Sequence, residues 1–213
     1  MAFFVIVFAV CIVQSCANRS NDIIFTYAGP TYLKGEEKVG LENVLAENLP
    51  DEMKKNGDTA GLVAYYILSK EQIEEEEKYT DSEGHRVVYV DKAFNSNQLD
   101  TFEAQLMTGM SSILLMDPWL YKSMIGETGE TEQLQELSHV LGNTPKNAVG
   151  LYGIRLGDTE LYKSNALMQS LPEDTVICLR SQILGKKDKE YAKETEAFKA
   201  IIKEAQGTEK VGE

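Results

Sequence analysis

Residues 2–13 (AFFVIVFAVCIV) form an unbroken apolar run containing three Phe, and no charged side chain appears before Arg19. A membrane-spanning helix needs roughly 20 apolar residues and the apolar centre of a signal sequence roughly 7–15. The run falls in the second range, yet no basic residue stands ahead of it. One expectation is a transmembrane helix whose recorded start lacks its upstream part and its basic cytoplasmic flank. Another is a lipoprotein signal, because residues 13–16 (VQSC) place a small residue before Cys16, which would then carry the lipid. A third is an apolar element buried within the fold. The first two put the rest of the chain outside the cytoplasm. They divide it into an apolar leader (1–19), preceding helix in character, an extracytoplasmic domain (20–206) and a disordered tail (207–213).

The whole chain, 213 residues at 43% apolar content, suits a leader and one domain with a sizeable core. The net charge of −13 excludes a protein that works by neutralising phosphates, so nucleic acid is not an expected partner. Residues 186–213 hold seven Lys and seven acids, so the whole imbalance lies upstream of them. Only Cys178 falls in the domain, which leaves no intradomain disulfide. It sits in an apolar run (175–180, TVICLR) where a thiol behaves as a small buried hydrophobe.

Strand and helix patterns alternate along the domain. Residues 23–27 (IIFTY) read as a strand closed by Ala28-Gly29-Pro30, and Leu41, Val44, Leu45 and Leu49 have helical spacing before Pro50. Residues 62–68 (LVAYYIL) read as a strand covered on both faces and central in its sheet. Ser69 and Gln72 form a capping box opening a helix over 70–78, whose glutamates read as a solvated face. Residues 87–90 (VVYV) suggest a short strand. Asn97 is the expected cap of a helix closed by Gly109, and residues 112–116 (SILLM) the next strand. Asp117-Pro118 then starts a helix that ends at Gly126. A short helix closed by Gly142, strands over 151–156 and 175–180, and a final helix over 190–205 complete the pattern. The alternation predicts an α/β fold: a layered, mostly parallel sheet flanked by helices.

The succession FTYAG, LVAYYIL, LMTG, SSILLMDPWLY, YGIRLGDTELY and LPEDTVICLRS resembles one lobe of the type II periplasmic solute-binding proteins. It is more closely similar to small membrane-tethered proteins of Gram-positive bacteria that contain this lobe. The resemblance implies a single periplasmic-binding-protein-like lobe, with Asp117-Pro118 after a ligand-facing strand and residues 152–156 as a crossover strand. It also implies a small polar or peptide-like ligand. A two-lobed binding protein is about twice as long, so no second lobe is available to close a cleft. That favours the alternative of an interaction or scaffold domain contacting another surface or membrane protein.

Open α/β sheets bind ligands at the carboxyl ends of their strands. This rule selects Tyr27, Gly29 and Tyr32 after the first strand, Phe94 and Asn95 after Val90, and Asp117, Trp119 and Tyr121 after Met116. Arg155 and Asp158 stand at the crossover. Each has a plainer reading: Asp117 as a helix cap, Trp119 as a core anchor, Arg155 and Asp158 as a surface pair. No H-E-x-x-H, G-x-S-x-G, C-x-x-C or phosphate-loop spacing occurs. His85 and His139 stand in no acid/base motif, and residues 51–58 lack the alternation of a calcium loop. The reading is therefore non-enzymatic, with no cofactor and no metal.

Overall fold

The chain was analysed as a computed structural model, which describes residues 22–78, 90–183 and 185–203. The leader with Cys16, residues 87–89 of the strand expected at 87–90, His85 and the tail lie outside the described residues.

Apolar content places β1 (Ile23–Gly29) at the heart of the sheet, since all but Ile24 of its residues are buried. A crossover through α1 (Gly35–Glu47) and α2 (Asp51–Lys55) leads to β2 (Ala60–Tyr66), which pairs parallel with β1. The helix α3 (Lys70–Glu76) opens on the expected capping box. The Ser69 hydroxyl accepts from Gln72 N–H, while Gln72 Oε1 accepts the Ser69 N–H at 2.7 Å. Next comes α4 (Lys92–Thr108), capped by Asp91, whose carboxylate accepts the Phe94 N–H at 2.9 Å. Asn97, the expected cap, sits inside this helix. Phe94 faces outward, so no apolar periodicity marks the first turn and a cap six residues upstream escapes notice. Gly109 closes α4 with φ 67°, the left-handed cap its position predicts.

From there β3 (Ile113–Met116) pairs parallel with β1 on the side away from β2, and α5 (Pro118–Ile125) follows at once. The short α6 (Leu137–Leu141) precedes a hairpin of β4 (Ala148–Val149) and β5 (Gly153–Arg155). Then α7 (Glu160–Ser164) leads to β6 (Val176–Leu179), and α8 (Asp188–Ile201) ends the described chain.

Among the described residues the strand order is β2-β1-β3-β6-β5-β4. The fold is α/β with a six-stranded mixed sheet, and the expectation of a mostly parallel sheet holds only for β2, β1 and β3. The other three pairings, β3 with β6, β6 with β5 and β5 with β4, are antiparallel. The hairpin explains part of this: three residues join β4 to β5, too few for the crossover a parallel pair requires. Gly150 turns that corner with φ 62°, a conformation suited to glycine. The run at 151–156 thus yields a three-residue antiparallel strand in place of a crossover.

A second correction concerns β2, which lies at the end of the order and not in its centre. Its two faces are covered as the apolar run implies: Leu62 belongs to the cluster under α1, and Tyr65 to the cluster under α4. Coverage from two sides reports the layers of a fold, whereas rank within the sheet depends on pairing. Glu42 of α1 also reaches β2, its Oε1 accepting the Leu62 N–H at 2.9 Å.

Alternation along the strands builds two cores. Phe25, Ile113, Leu115, Ile177 and Leu179 face α1 and α8, while Leu114, Met116, Val176 and Cys178 face α4 and α5. Phe198 of α8 is fully buried, a burial of about 2–3 kcal/mol. Lys186 and Glu194 form an ion pair with side chains only 10% and 6% exposed. Lys186 Nζ also donates to Ser112 Oγ at 3.0 Å, fastening α8 to the start of β3.

Candidate functional site

One row of partners crosses the sheet: Tyr65, Ala28, Met116, Val176 and Arg155. The residues just beyond this row line a single edge, where β1, β2, β3 and β5 end and β6 begins. Tyr32, Asp117, Trp119 and Asp158 follow strands at that edge, whereas Tyr27 and Gly29 lie within the end of β1 and Arg155 within the end of β5. Asn95 joins them from the first turn of α4. Its Oδ1 accepts the Leu68 N–H at 2.8 Å and its Nδ2 donates to the Leu68 carbonyl at 3.1 Å.

The buried residues of this edge are occupied by internal bonds. Asp117, 7% exposed, receives the Trp119 N–H on Oδ1 at 3.0 Å and the Gln72 amide on Oδ2 at 3.1 Å. Its own N–H donates to the Ala28 carbonyl at 2.9 Å. The side chain is thus a cap that also ties α3 to α5, the plainer of its two readings. Tyr27 is fully buried, and its hydroxyl accepts the Thr31 N–H at 3.1 Å. Burial pushes the phenol up, with Asp117 and Asp174 adding to the effect, so it stays neutral and offers no base. Gly29 is required by this arrangement, because a Cβ there would stand 2.8 Å from the Tyr27 oxygen.

Tyr121 turns away from the edge toward β4, where its hydroxyl donates to the Val149 carbonyl. Its pKa is pushed up to about 12, chiefly by burial. Trp119 is half-buried against the cluster under α4 and α5, as an anchor would be, and its Nε1–H is enclosed with no acceptor among the described residues.

The groups left open are far apart. Tyr32, 64% exposed, meets Tyr66 edge-on with ring centres 5.9 Å apart at the β2 end. Arg155 is exposed on β5, and among the described residues it forms no ion pair, neither with Asp158 nor with another acid. From β1 to β5 there are three strand spacings, about 14 Å. Position after a strand thus places residues on one edge without making them converge.

Tyr66 was missed by the sequence reading, although it ends β2 and the same rule would have selected it. Gln72 was read only as half of a capping box, and no local pattern links it to Asp117, 45 residues away. Elsewhere, Cys178 is fully buried with its thiol pKa raised by burial, and Tyr191 is pushed up to about 12, first by burial and then by Glu194. Among the described residues no group of three or more His, Cys, Asp and Glu is placed to hold a metal ion, and no helix is long and apolar enough to cross a membrane. Clefts of about 480 and 490 Å³ lie beside α2 with α8 and beside residues 128–136, and one of about 470 Å³ separates α4 from α5. The chain matches no protein-family model, no curated protein and no solved structure.

Proposed function

We propose that this chain is a non-enzymatic, partner-binding domain held on the extracytoplasmic side of a membrane by its apolar opening segment. The reading rests chiefly on the dispersal of free groups along the carboxyl edge. Asp117, Asn95 and the Tyr27 hydroxyl are engaged internally, while Tyr32 and Arg155 stand at opposite ends. A small molecule needs groups that converge around it, whereas a protein partner can touch well-separated points on an extended surface. Crosslinking in intact cells followed by pull-down should recover a specific surface or membrane protein. Recovery of none, with the chain in the cytosolic fraction, would remove both halves of the proposal.

A second reading, a small polar or peptide-like ligand bound as in a solute-binding lobe, is favoured by Arg155, an exposed guanidinium free of ion pairs. A thermal-shift panel separates the two. A ligand at 100 times its Kd adds about 2.7 kcal/mol of stability, and a panel of amino acids, peptides and organic acids without any shift argues for the protein partner.

A further inference from the structure

The cleft between α4 and α5 differs from the carboxyl edge in being lined chiefly by apolar side chains. Leu99, Phe102, Leu106 and Met107 of α4 face Leu120 and Met124 of α5 across about 470 Å³. Met107 is 83% exposed, and Met110, just past the end of α4, is 55% exposed. Two carboxylates, Asp100 and Glu103, stand on the same cleft, and none of its lining residues is Lys or Arg. Among the described residues neither carboxylate takes part in an ion pair. From Leu99 to Met107 the cleft follows α4 for about 12 Å, roughly two helical turns. That length suits the i, i+3, i+4, i+7 anchors of a helix laid in a groove. Unbranched Met side chains adapt to such a guest.

We infer that this groove docks a basic amphipathic helix of a partner protein, its apolar face on Leu99, Leu106 and Met107 and its Lys or Arg side chains beside Asp100 and Glu103. The inference rests on the reading of the chain as a partner-binding domain and names the chemistry of the partner. Charge decides against an acidic guest: the groove presents two carboxylates without an ion-pair partner among the described residues, in a chain of net charge −13.

The test is fluorescence anisotropy of the full chain with a labelled helical peptide of about 14 residues carrying Leu at the anchor positions and Lys elsewhere. Saturable binding is expected, at least tenfold tighter than for the Leu/Glu peptide with the same apolar face. Met107→Glu, at an exposed position that folding does not need, should weaken it about tenfold, and Asp100→Asn with Glu103→Gln about five- to tenfold. Neutralising Glu74 and Glu75 on α3 should leave it unchanged. Equal affinity for both peptides, or an equal loss from the α3 pair, overturns the groove. So does a dimer by light scattering that Met107→Glu dissolves, which would assign the groove to a second copy of the chain. If the peptide fails while crosslinking in cells still recovers a specific partner, the groove falls and the broader reading stands.

Discussion

Helices α8 and α4 cover opposite faces of one sheet in contrasting ways. Within 14 residues α8 buries Glu194, Ala197, Phe198 and Ile201, whereas α4, with 17, buries only Phe102. The first is fastened by the enclosed Lys186–Glu194 pair and by Lys193, which meets Asp58 at 2.7 Å. The second is fixed chiefly by its ends: Asp91 and Asn95 at the start and Gly109 at the finish. Between them Tyr65 shares a hydrogen bond with Gln105, which also reaches Thr26 at 3.2 Å. Side chains on α8 are consumed by folding. Those on the outward side of α4 are not, which frees that helix to carry contacts the fold does not need.

The contrast can be broken by mutation. Phe198→Ala should have the largest effect, lowering unfolding stability in urea by about 3–5 kcal/mol because the close-packed site collapses only in part. A loss below 1 kcal/mol would show that α8 is no more essential than α4. Glu194→Gln leaves Lys186 enclosed without its counter-charge and should cost about 3 kcal/mol, with Lys186→Met relieving much of that loss in the double variant. Asp117→Ala removes a cap and strands the Gln72 amide, an expected cost of about 1–2 kcal/mol in thermal unfolding.

Alkaline pH acts on both faces at once. Tyr191 and Tyr121 have native pKa values near 12 against an ordinary 10.0. The native state therefore holds its protons longer than the unfolded one. This contribution is complete below pH 10 and disappears as pH rises to about 12, about 1 kcal/mol for each phenol after allowance for solvent. Tyr191→Phe should flatten the decline measured by chemical unfolding at pH 9 to 12. Met107→Ala is the smallest effect, within 0.5 kcal/mol in either direction. A larger loss would mean that the α4 face is already filled by the protein itself.

Much of the architecture was legible where local chemistry determines local structure. Ser69 with Gln72, Asp117 with Pro118, and Gly109 marked helix ends because capping acts within four residues. The parallel trio of strands followed from runs separated by helices. Strand rank and the antiparallel half were not legible, because pairing joins residues far apart: Leu114 meets Cys178, and Leu134 bridges to Arg180. For the candidate site, the carboxyl-edge rule placed Tyr27, Asp117 and Arg155 correctly. It could not reveal that Asp117 is spent on Gln72 and Trp119, or that Arg155 stands remote from Tyr32. The exposed side of α4 was hidden for a related reason. Leu99, Phe102, Leu106 and Met107 have the spacing of a buried stripe, and only the position of α5 leaves part of that stripe uncovered.

The Glu42 carboxylate on the Leu62 amide carries a consequence for assembly. A peptide group already donating to a side chain offers no donor to a newcomer strand, so backbone pairing is blocked at that one position of β2. The stopper comes from the very crossover that joins β1 to β2, and it arrives whenever that unit folds. Copies of this domain brought close together would therefore lack that amide as a point for backbone pairing.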